Sequence, residues 1–444
     1  MKRPFSGMLG FVAFWLGQVV SLLGTAMSGF GLTIWAYELT GSATALALVG
    51  FFFITPLLIM SPIAGALVDR SNRKFMMVIS DLASGLATLV VLFLYSTGQL
   101  QIWHLFITGA FSGAFQAFQW PAFSAAITTM LPKEQYGRAN GMMALAESGS
   151  GIFAPILAGA LLGLIGLGGL LAIDVVTFVF AIGVLLFIHV PQPQVTQEGL
   201  ESKGSLWKES LYGFRYILQR PSLLGLQLVF LVGNFISGVA FTLEPPMILA
   251  RTGNNELIFG SVNSIGAVGG VIGGVVMSAW GGFKRRVHGV LLGWALAGLL
   301  GTLVMGLGRG LLVWGIGMFL GAFLGPIINS SNQAIWQAKV APDVQGRVFS
   351  ARRLIAWVSM PLSTLIAGPL ADFVLEPAMQ EGGSLTGLFS PLVGSGPGAG
   401  MALVFVFAGL GMAAVGLGGY AFRVVREAET LLPDHQQPVE LPEN

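Results

Sequence analysis

The sequence predicts an all-α membrane protein: twelve transmembrane helices in two six-helix halves, with both termini cytoplasmic. Three observations carry that prediction. Of the 444 residues, 54% are hydrophobic and only 9% charged, at a mean hydropathy of +0.79; a soluble chain carries about 25% charged residues. Apolar runs of about 20 residues recur along the chain, long enough to cross a ~30 Å hydrocarbon core as helices. Basic residues gather at every second break between those runs.

The predicted spans cover 9–36, 43–67, 75–96, 102–127, 140–165, 169–189, 222–250, 257–281, 288–307, 311–337, 347–371 and 400–422. Lys and Arg concentrate on the cytoplasmic side of membrane proteins. With the amino terminus inside, 20 of the 22 basic residues fall at cytoplasmic segments or span ends, and only Arg251 and Arg309 do not. One missed or invented span would invert everything after it and destroy that asymmetry. The Met1-Lys2-Arg3 start precedes a long apolar run without a small-residue cleavage site, so it reads as the first span and not as a signal peptide.

The chain divides into an N-terminal half (1–190), a charged cytoplasmic linker (191–221), a C-terminal half (222–426) and a polar tail (427–444) expected to be disordered. Within the linker, Ser205 is placed to cap a helix whose Trp207, Leu211, Phe214 and Leu218 share one face. Such a helix is expected to rest on the inner leaflet. The halves echo one another. Pro132-Lys-Glu-Gln-Tyr-Gly137-Arg138 and Pro342-Asp-Val-Gln-Gly346-Arg347 each precede a span, and Ala158-Gly159 matches Ala367-Gly368 about 209 positions later. An offset near half the chain, with equal span counts, implies a duplicated six-helix unit whose copies share one orientation. The 63 glycines are about twice the usual frequency. Gly266, Gly270 and Gly274, Gly317, Gly321 and Gly325, and Gly159 and Gly163 have the small-residue spacing of packed membrane helices.

Between spans two and three stands Gly65-Ala-Leu-Val-Asp69-Arg70-Ser-Asn72-Arg73-Lys74. This resembles the G-x-L-x-D-R-x-G-R-R/K signature of the major facilitator superfamily, in the family's position, with Asn72 in place of a glycine. Asn tolerates a left-handed backbone better than most residues, so the turn is expected to survive. The resemblance implies a cytoplasmic gate. Asp69 meets the cytoplasmic end of span eleven and holds the outward-open state closed inside, Arg70, Arg73 and Lys74 complete the charge cluster, and Gly65 admits the neighbouring helix. The second-half counterpart keeps Gly274 and the basic run Lys284-Arg285-Arg286 but lacks the acid. Ala154-Pro155-Ile-Leu-Ala-Gly159 looks like a weakened form of the family's exporter motif in span five, and Gly109 stands where drug antiporters carry a span-four arginine. Trp35 to Thr44, Gly137-Arg-Ala-Asn140 and Gly396-Pro-Gly-Ala-Gly400 are similar to the subgroup that contains macrolide efflux proteins and the enterobactin exporter.

Ionisable groups inside a bilayer cost about 3 kcal/mol or more, so each needs a reason. Glu147, some seven residues into span five, is the first candidate for proton or cation coupling, with a structural pairing to Arg138 or a hydroxyl as the alternative. Asp174, read first as a helix cap, Glu244 beside Pro245-Pro246, and Asp81, read first as a partner of the basic loop, complete the acidic set. Gln116, Gln119, Trp120, Asn140, Pro155, Asn234, Asn263, Asn329, Asn332 and Gln333 are candidates for the substrate pathway. Every basic residue reads as lying at or near an interface, which favours a hydrophobic, neutral or cationic cargo.

The function expected is therefore efflux of a hydrophobic small molecule, exchanged for protons or another cation, by a monomer in the bacterial inner membrane that contacts lipids. A formal net charge of +2 points to no nucleic-acid partner, and zero cysteines exclude disulfides, thiolate catalysis and Cys-ligated metals. No cofactor or metal is expected, and the sequence carries no Walker loop, H-E-x-x-H or G-x-S-x-G motif. An importer of the same fold is the main alternative, ahead of a membrane-embedded enzyme or a sensor.

Overall fold

The computed structural model describes residues 7–40, 43–193, 196, 204–253 and 255–435, without the side chains of 37, 38, 43–47 and 256. Lys2, Arg3, Lys203 and the stretch 436–444, all invoked above, lie outside the described residues. Among those described, every regular element is helical. A first group comprises α1 (Gly7–Thr40), α2 (Ala43–Arg70), α3 (Arg73–Ser96), α4 (Ile102–Met130) and α5 (Tyr136–Phe187). The linker helix α6 (Leu206–Leu218) leads to α7 (Pro221–Thr252), α8 (Glu256–Trp280), α9 (Arg286–Leu296), α10 (Leu311–Lys339), α11 (Gln345–Pro369) and α12 (Ala399–Ala421). A π-turn over Ala297–Thr302 carries α9 on to Leu307.

Ten stretches among the described residues are long and apolar enough to cross a membrane, against the twelve expected. Two features account for the difference. Residues 140–165 and 169–189, expected as separate spans, form one 52-residue α5 with a break at Gly166 (φ 64°, ψ −179°). Unbroken, it would run about 78 Å at 1.5 Å per residue, far beyond one hydrocarbon core. A β-carbon disfavours a positive φ, so the chain turns where it has a glycine. The second feature is α4. It contains no Asp, Glu, Lys or Arg but spends its length on His104, Gln116, Gln119 and hydroxyl residues, and it is not among the ten.

Two seams join the groups: α2 packs along α11, and α5 packs along α8. Both depend on the absence of a β-carbon. One added to Gly65 would stand 2.3 Å from the Gly346 carbonyl oxygen, and one on Gly137 would stand 2.0 Å from that of Gly281. Gly65 and Gly274, like Gly137 and Gly346, are 209 positions apart, so the seams are repeats of one another. The packing role expected of the glycine series holds for Gly266, Gly274 and Gly317. It does not hold for Gly159, Gly163 and Gly325, where a β-carbon would meet nothing within 4 Å. Gly346→Ala is therefore expected to lower the thermal unfolding midpoint clearly, and Gly159→Ala hardly at all. Equal midpoints in detergent solution would show that α2 and α11 do not need their close approach.

The linker helix turns its apolar side outward. Trp207 is 74% exposed, Leu211 63% and Leu218 65%, whereas Glu209, Ser210, Gly213 and Tyr216 are buried against the protein. Ser205 caps it, accepting from the Lys208 N–H at 3.4 Å. The first part of the tail is not disordered, as expected above, but folded back. Ala428–Leu431 is helical, Glu429 accepts from the Val287 N–H at 2.9 Å, and Asp434 pairs with Lys339 at 2.8 Å and Lys133 at 3.5 Å.

Candidate functional site

Two adjoining cavities, of about 400 and 410 Å³, share Trp120, Met143 and Glu147. The first lies within the N-terminal group. Its polar wall holds two carboxylates, each satisfied by neutral donors. Asp81 accepts from Gln119 at 2.6 Å and Gln18 at 3.2 Å, and Asp174 accepts from Thr25 and Thr88, both at 2.9 Å. Asp174 is therefore not a helix cap, as first read; it ties α1 and α3 to α5. Asp81 likewise faces the cavity and not the basic loop, because that face of α3 packs on α4 and is met by Gln18 of α1. Phe53, Phe123 and Phe178 supply apolar walls.

The second cavity lies between the groups. Glu147, Asn140 and Trp120 approach from α4 and α5; Asn234, Asn329 and Gln333 approach from α7 and α10; Arg352, Arg353 and Trp357 come from α11. The Glu147 carboxylate opens into the cavity, makes no hydrogen bond among the described residues, and feels the charge of Arg353 across from it. The Arg138 pairing weighed above does not form, since Arg138 reaches the Ala279 carbonyl instead. Arg353 stacks over Trp357 at 4.5 Å and Trp120 at 5.4 Å. Arg352 lies 5.0 Å from the Trp336 ring and donates to Gln333 Oε1 at 2.6 Å. The reading that every basic residue sits near an interface fails here. A larger groove of about 590 Å³ between α8 and α10 is lined by residues such as Leu312 and Ile316, without a polar side chain; it is exposed surface and not part of this site.

Beneath the cavities, on the side that carries α6, the groups are bolted together. A belt of amides and hydroxyls crosses the seam. Gln333 donates to Ser124 Oγ, Gln337 to the Ser124 carbonyl at 3.0 Å, and Asn140 to Gln337 Oε1 at 2.7 Å, while Thr128 donates to Gln345 Oε1 at 2.9 Å. Below it, the Asp69 carboxylate accepts from the backbone N–H of Gly346 at 2.7 Å and of Arg347 at 2.9 Å. These are free donors of the first turn of α11, where the helix dipole also favours an anion. Arg70 grips Glu209 of the linker helix with two bonds of 2.7 and 2.9 Å, and Arg347 reaches the same carboxylate at 3.0 Å. Arg73 is fully buried and donates to the carbonyls of Ala125 and Pro342; Lys74 donates to those of Leu186 and Ile188 at the end of α5. Asn72 is not left-handed as expected: at φ −67° it is the N-cap of α3 and accepts from the Phe75 N–H. The turn thus needs no glycine.

The family comparison decides what this arrangement belongs to. The model of the Major Facilitator Superfamily matches residues 14–364. The chain belongs to that superfamily. Macrolide efflux protein A of Streptococcus pyogenes is 26% identical over 375 residues, covering 84% of this chain and 92% of that protein. The multidrug efflux pump Tap of Mycolicibacterium fortuitum is 27% identical over 365 residues, covering 78% and 87%. Among solved structures, the fucose:proton symporter of E. coli superposes with a TM-score of 0.63 at 11% identity, covering 94% of this chain and 99% of its own. A bacterial homologue of the iron transporter ferroportin, in an outward-facing state, gives 0.62 at 16% identity, covering 92% and 98%. At those identities they establish the fold.

Within this superfamily chain, a multi-pass membrane transporter, the structure gathers most of the predicted site residues. Gln116, Gln119, Trp120, Asp81 and Asp174 line the first cavity; Asn140, Asn234 and Gln333 line the second; Glu147 belongs to both. Four residues stand apart. Asn263 donates to Glu244 at 3.2 Å inside the α7–α8 contact, Asn332 accepts from Trp336, and Pro155 lies in α5 without lining either cavity. Sequence reasoning missed Arg352, Arg353 and Glu209.

Proposed function

We propose that this transporter is a proton-coupled exporter of hydrophobic small molecules in the bacterial cytoplasmic membrane, working as a monomer by alternating access. In this reading the chain spans the membrane twelve times, with α5 crossing twice about Gly166 and both termini cytoplasmic. The side closed by Asp69 and the amide belt is then the cytoplasmic one, and the two six-helix halves rock about the cavities. The observation that carries the reading is Glu147, a carboxylate at the junction of both cavities with no hydrogen bond among the described residues and a guanidinium facing it. Protonation in one orientation and release in the other changes the charge at the centre of the pathway, so the proton gradient biases which orientation the cargo leaves by. The efflux relatives support the direction.

Import is the second reading, favoured by one observation: Arg352 and Arg353 reach into the cavity, where carriers of organic anions place basic residues. Proteoliposomes with an imposed pH gradient separate the two. Efflux predicts that right-side-out vesicles extrude a fluorescent hydrophobic cargo and lose that activity when the gradient is collapsed; gradient-independent accumulation would rule it out.

A further inference from the structure

We propose that the cargo is a zwitterion on an aromatic body, its acidic group held by Arg352 and Arg353 and its amine by Glu147. This rests on the cavity being the transport site but not on the direction of transport. The inference begins from which charges in the cavity are already satisfied. Both oxygens of Asp81 are taken by Gln18 and Gln119, and both of Asp174 by Thr25 and Thr88. Neither carboxylate needs a ligand. The three charges of the second cavity differ. Arg353 makes no hydrogen bond and no ion pair within 4 Å among the described residues, and Arg352 spends one bond, on Gln333. Glu147 makes none.

A guanidinium carries five donors in a planar fork suited to a carboxylate, sulfonate or phosphate. Holding two such groups in a low-dielectric cavity without an acid in contact is costly, and stacking on Trp357, Trp120 and Trp336 offsets part of that cost. One carboxylate faces two guanidiniums, so the cavity retains an excess positive charge that an acidic group on the cargo would neutralise. A purely anionic cargo would nevertheless be repelled by Glu147, and a purely cationic one by the arginines. A molecule bearing both charges satisfies all three residues. The indoles of Trp120 and Trp357, already flanking Arg353, supply flat apolar faces for its ring system. The amine also explains coupling within the same geometry, since a proton on Glu147 removes the charge that holds it. Proton and cargo then compete for one carboxylate, as exchange requires.

Equilibrium binding to the purified full-length transporter in detergent, without any gradient, tests this independently of direction. The probes are Nα-dansyl-lysine, which is zwitterionic, its carboxamide, which keeps only the amine, and its Nε-acetyl derivative, which keeps only the acid. Binding is read by energy transfer from tryptophan and corrected for micelles alone. The zwitterion is expected to bind at least ten times more tightly than either blocked probe. Arg352→Gln and Arg353→Gln should bring it down to the level of the carboxamide without weakening the carboxamide itself, and Glu147→Gln should bring it down to the level of the acetyl derivative. Arg353→Lys, which keeps the charge, should retain part of the preference and controls for misfolding. Equal affinity for the zwitterion and the carboxamide, or arginine variants that weaken both alike, would overturn the assignment. Failure of proton-driven efflux in vesicles would leave the binding result standing and would overturn only the direction.

Discussion

Glu147→Gln is expected to lower gradient-driven transport at least tenfold while leaving counterflow at saturating cargo, the unfolding midpoint and the closure on the side of α6 nearly unchanged. The physical basis is the isolation of this side chain. It makes no hydrogen bond among the described residues and opens into the cavity, so an amide of the same shape leaves no buried partner orphaned. The usual penalty for removing one member of a buried pair, about 1–3 kcal/mol, therefore does not arise. What the amide removes is the capacity to change charge. Counterflow requires the protein to reorient with cargo bound but needs no net proton movement. Measuring both in the same proteoliposomes therefore separates coupling from binding. If gradient-driven transport persists at the native rate, Glu147 is a structural residue and the coupling group lies elsewhere, with Asp81 and Asp174 next in line.

The second large effect is expected at the latch between α2 and α11. Asp69→Asn exchanges two charge-assisted bonds to the first turn of α11 for, at best, one neutral bond. Hydrogen bonds to charged groups contribute about 1.5–3 kcal/mol each, so losing about 2 kcal/mol shifts the closed–open equilibrium about 30-fold. The native chain has no cysteine, and Ser350, fully buried against Gly65, has a hydroxyl without a partner among the described residues. Ser350→Cys thus places a single reporter thiol in the seam. Its reaction with a membrane-impermeant maleimide is expected to accelerate about 10- to 100-fold in the Asp69→Asn background; an unchanged rate would mean that the latch does not hold the seam. Glu209→Gln should act in the same direction. Burial alone would push the Glu209 carboxyl up, but the bonds from Arg70 and the Gly204 N–H, with the charge of Arg347, outweigh it and hold the group below its ordinary value of 4.5. A depressed carboxyl contributes stability that is present above the ordinary value and lost as pH falls through the lower, folded-state value. The Glu209 bonds to Arg70 and Arg347 are accordingly indifferent to pH around neutrality.

Much of this was legible in the sequence, for reasons that differ by residue. The Gly65–Lys74 loop identifies itself because its chemistry is local: an acid, three bases and a glycine at fixed offsets, aimed at a helix end. Glu147 is legible because a carboxylate deep in an apolar run is too costly to keep without a task. Arg352 and Arg353 were not, since they stand only seven and eight residues into α11 and read as interfacial. That helix enters the protein beneath α2, however, so its first turns are covered from the start and about 10 Å of rise delivers both guanidiniums to the cavity. Glu209 looked like one of the charged positions of an amphipathic helix. Which face of such a helix meets protein and which meets lipid depends on what lies beside it, and α6 gives its polar face to the protein. The division of α5 was predicted at nearly the right place, 166 against the gap after 165, but only the backbone identifies the glycine responsible.

The folded-back segment after α12 bears on how the two seams differ. At the 209-residue offset, Ser278 occupies the place of Asp69 and, among the described residues, bonds within its own helix, to the Gly274 carbonyl. The second seam has thus lost its internal acid. Glu429 and Asp434 stand beside that seam instead, one on the first turn of α9 and the other on Lys133 and Lys339, much as Glu209 serves the first seam from the stretch that follows α5. Each seam is therefore clasped by an acidic strap from the stretch that follows its helices. For anyone building with this protein, the residues up to 435 are working parts: a purification tag or fluorescent reporter spliced in before Glu429 would unbuckle the contacts that Glu429 and Asp434 make with α9, Lys133 and Lys339.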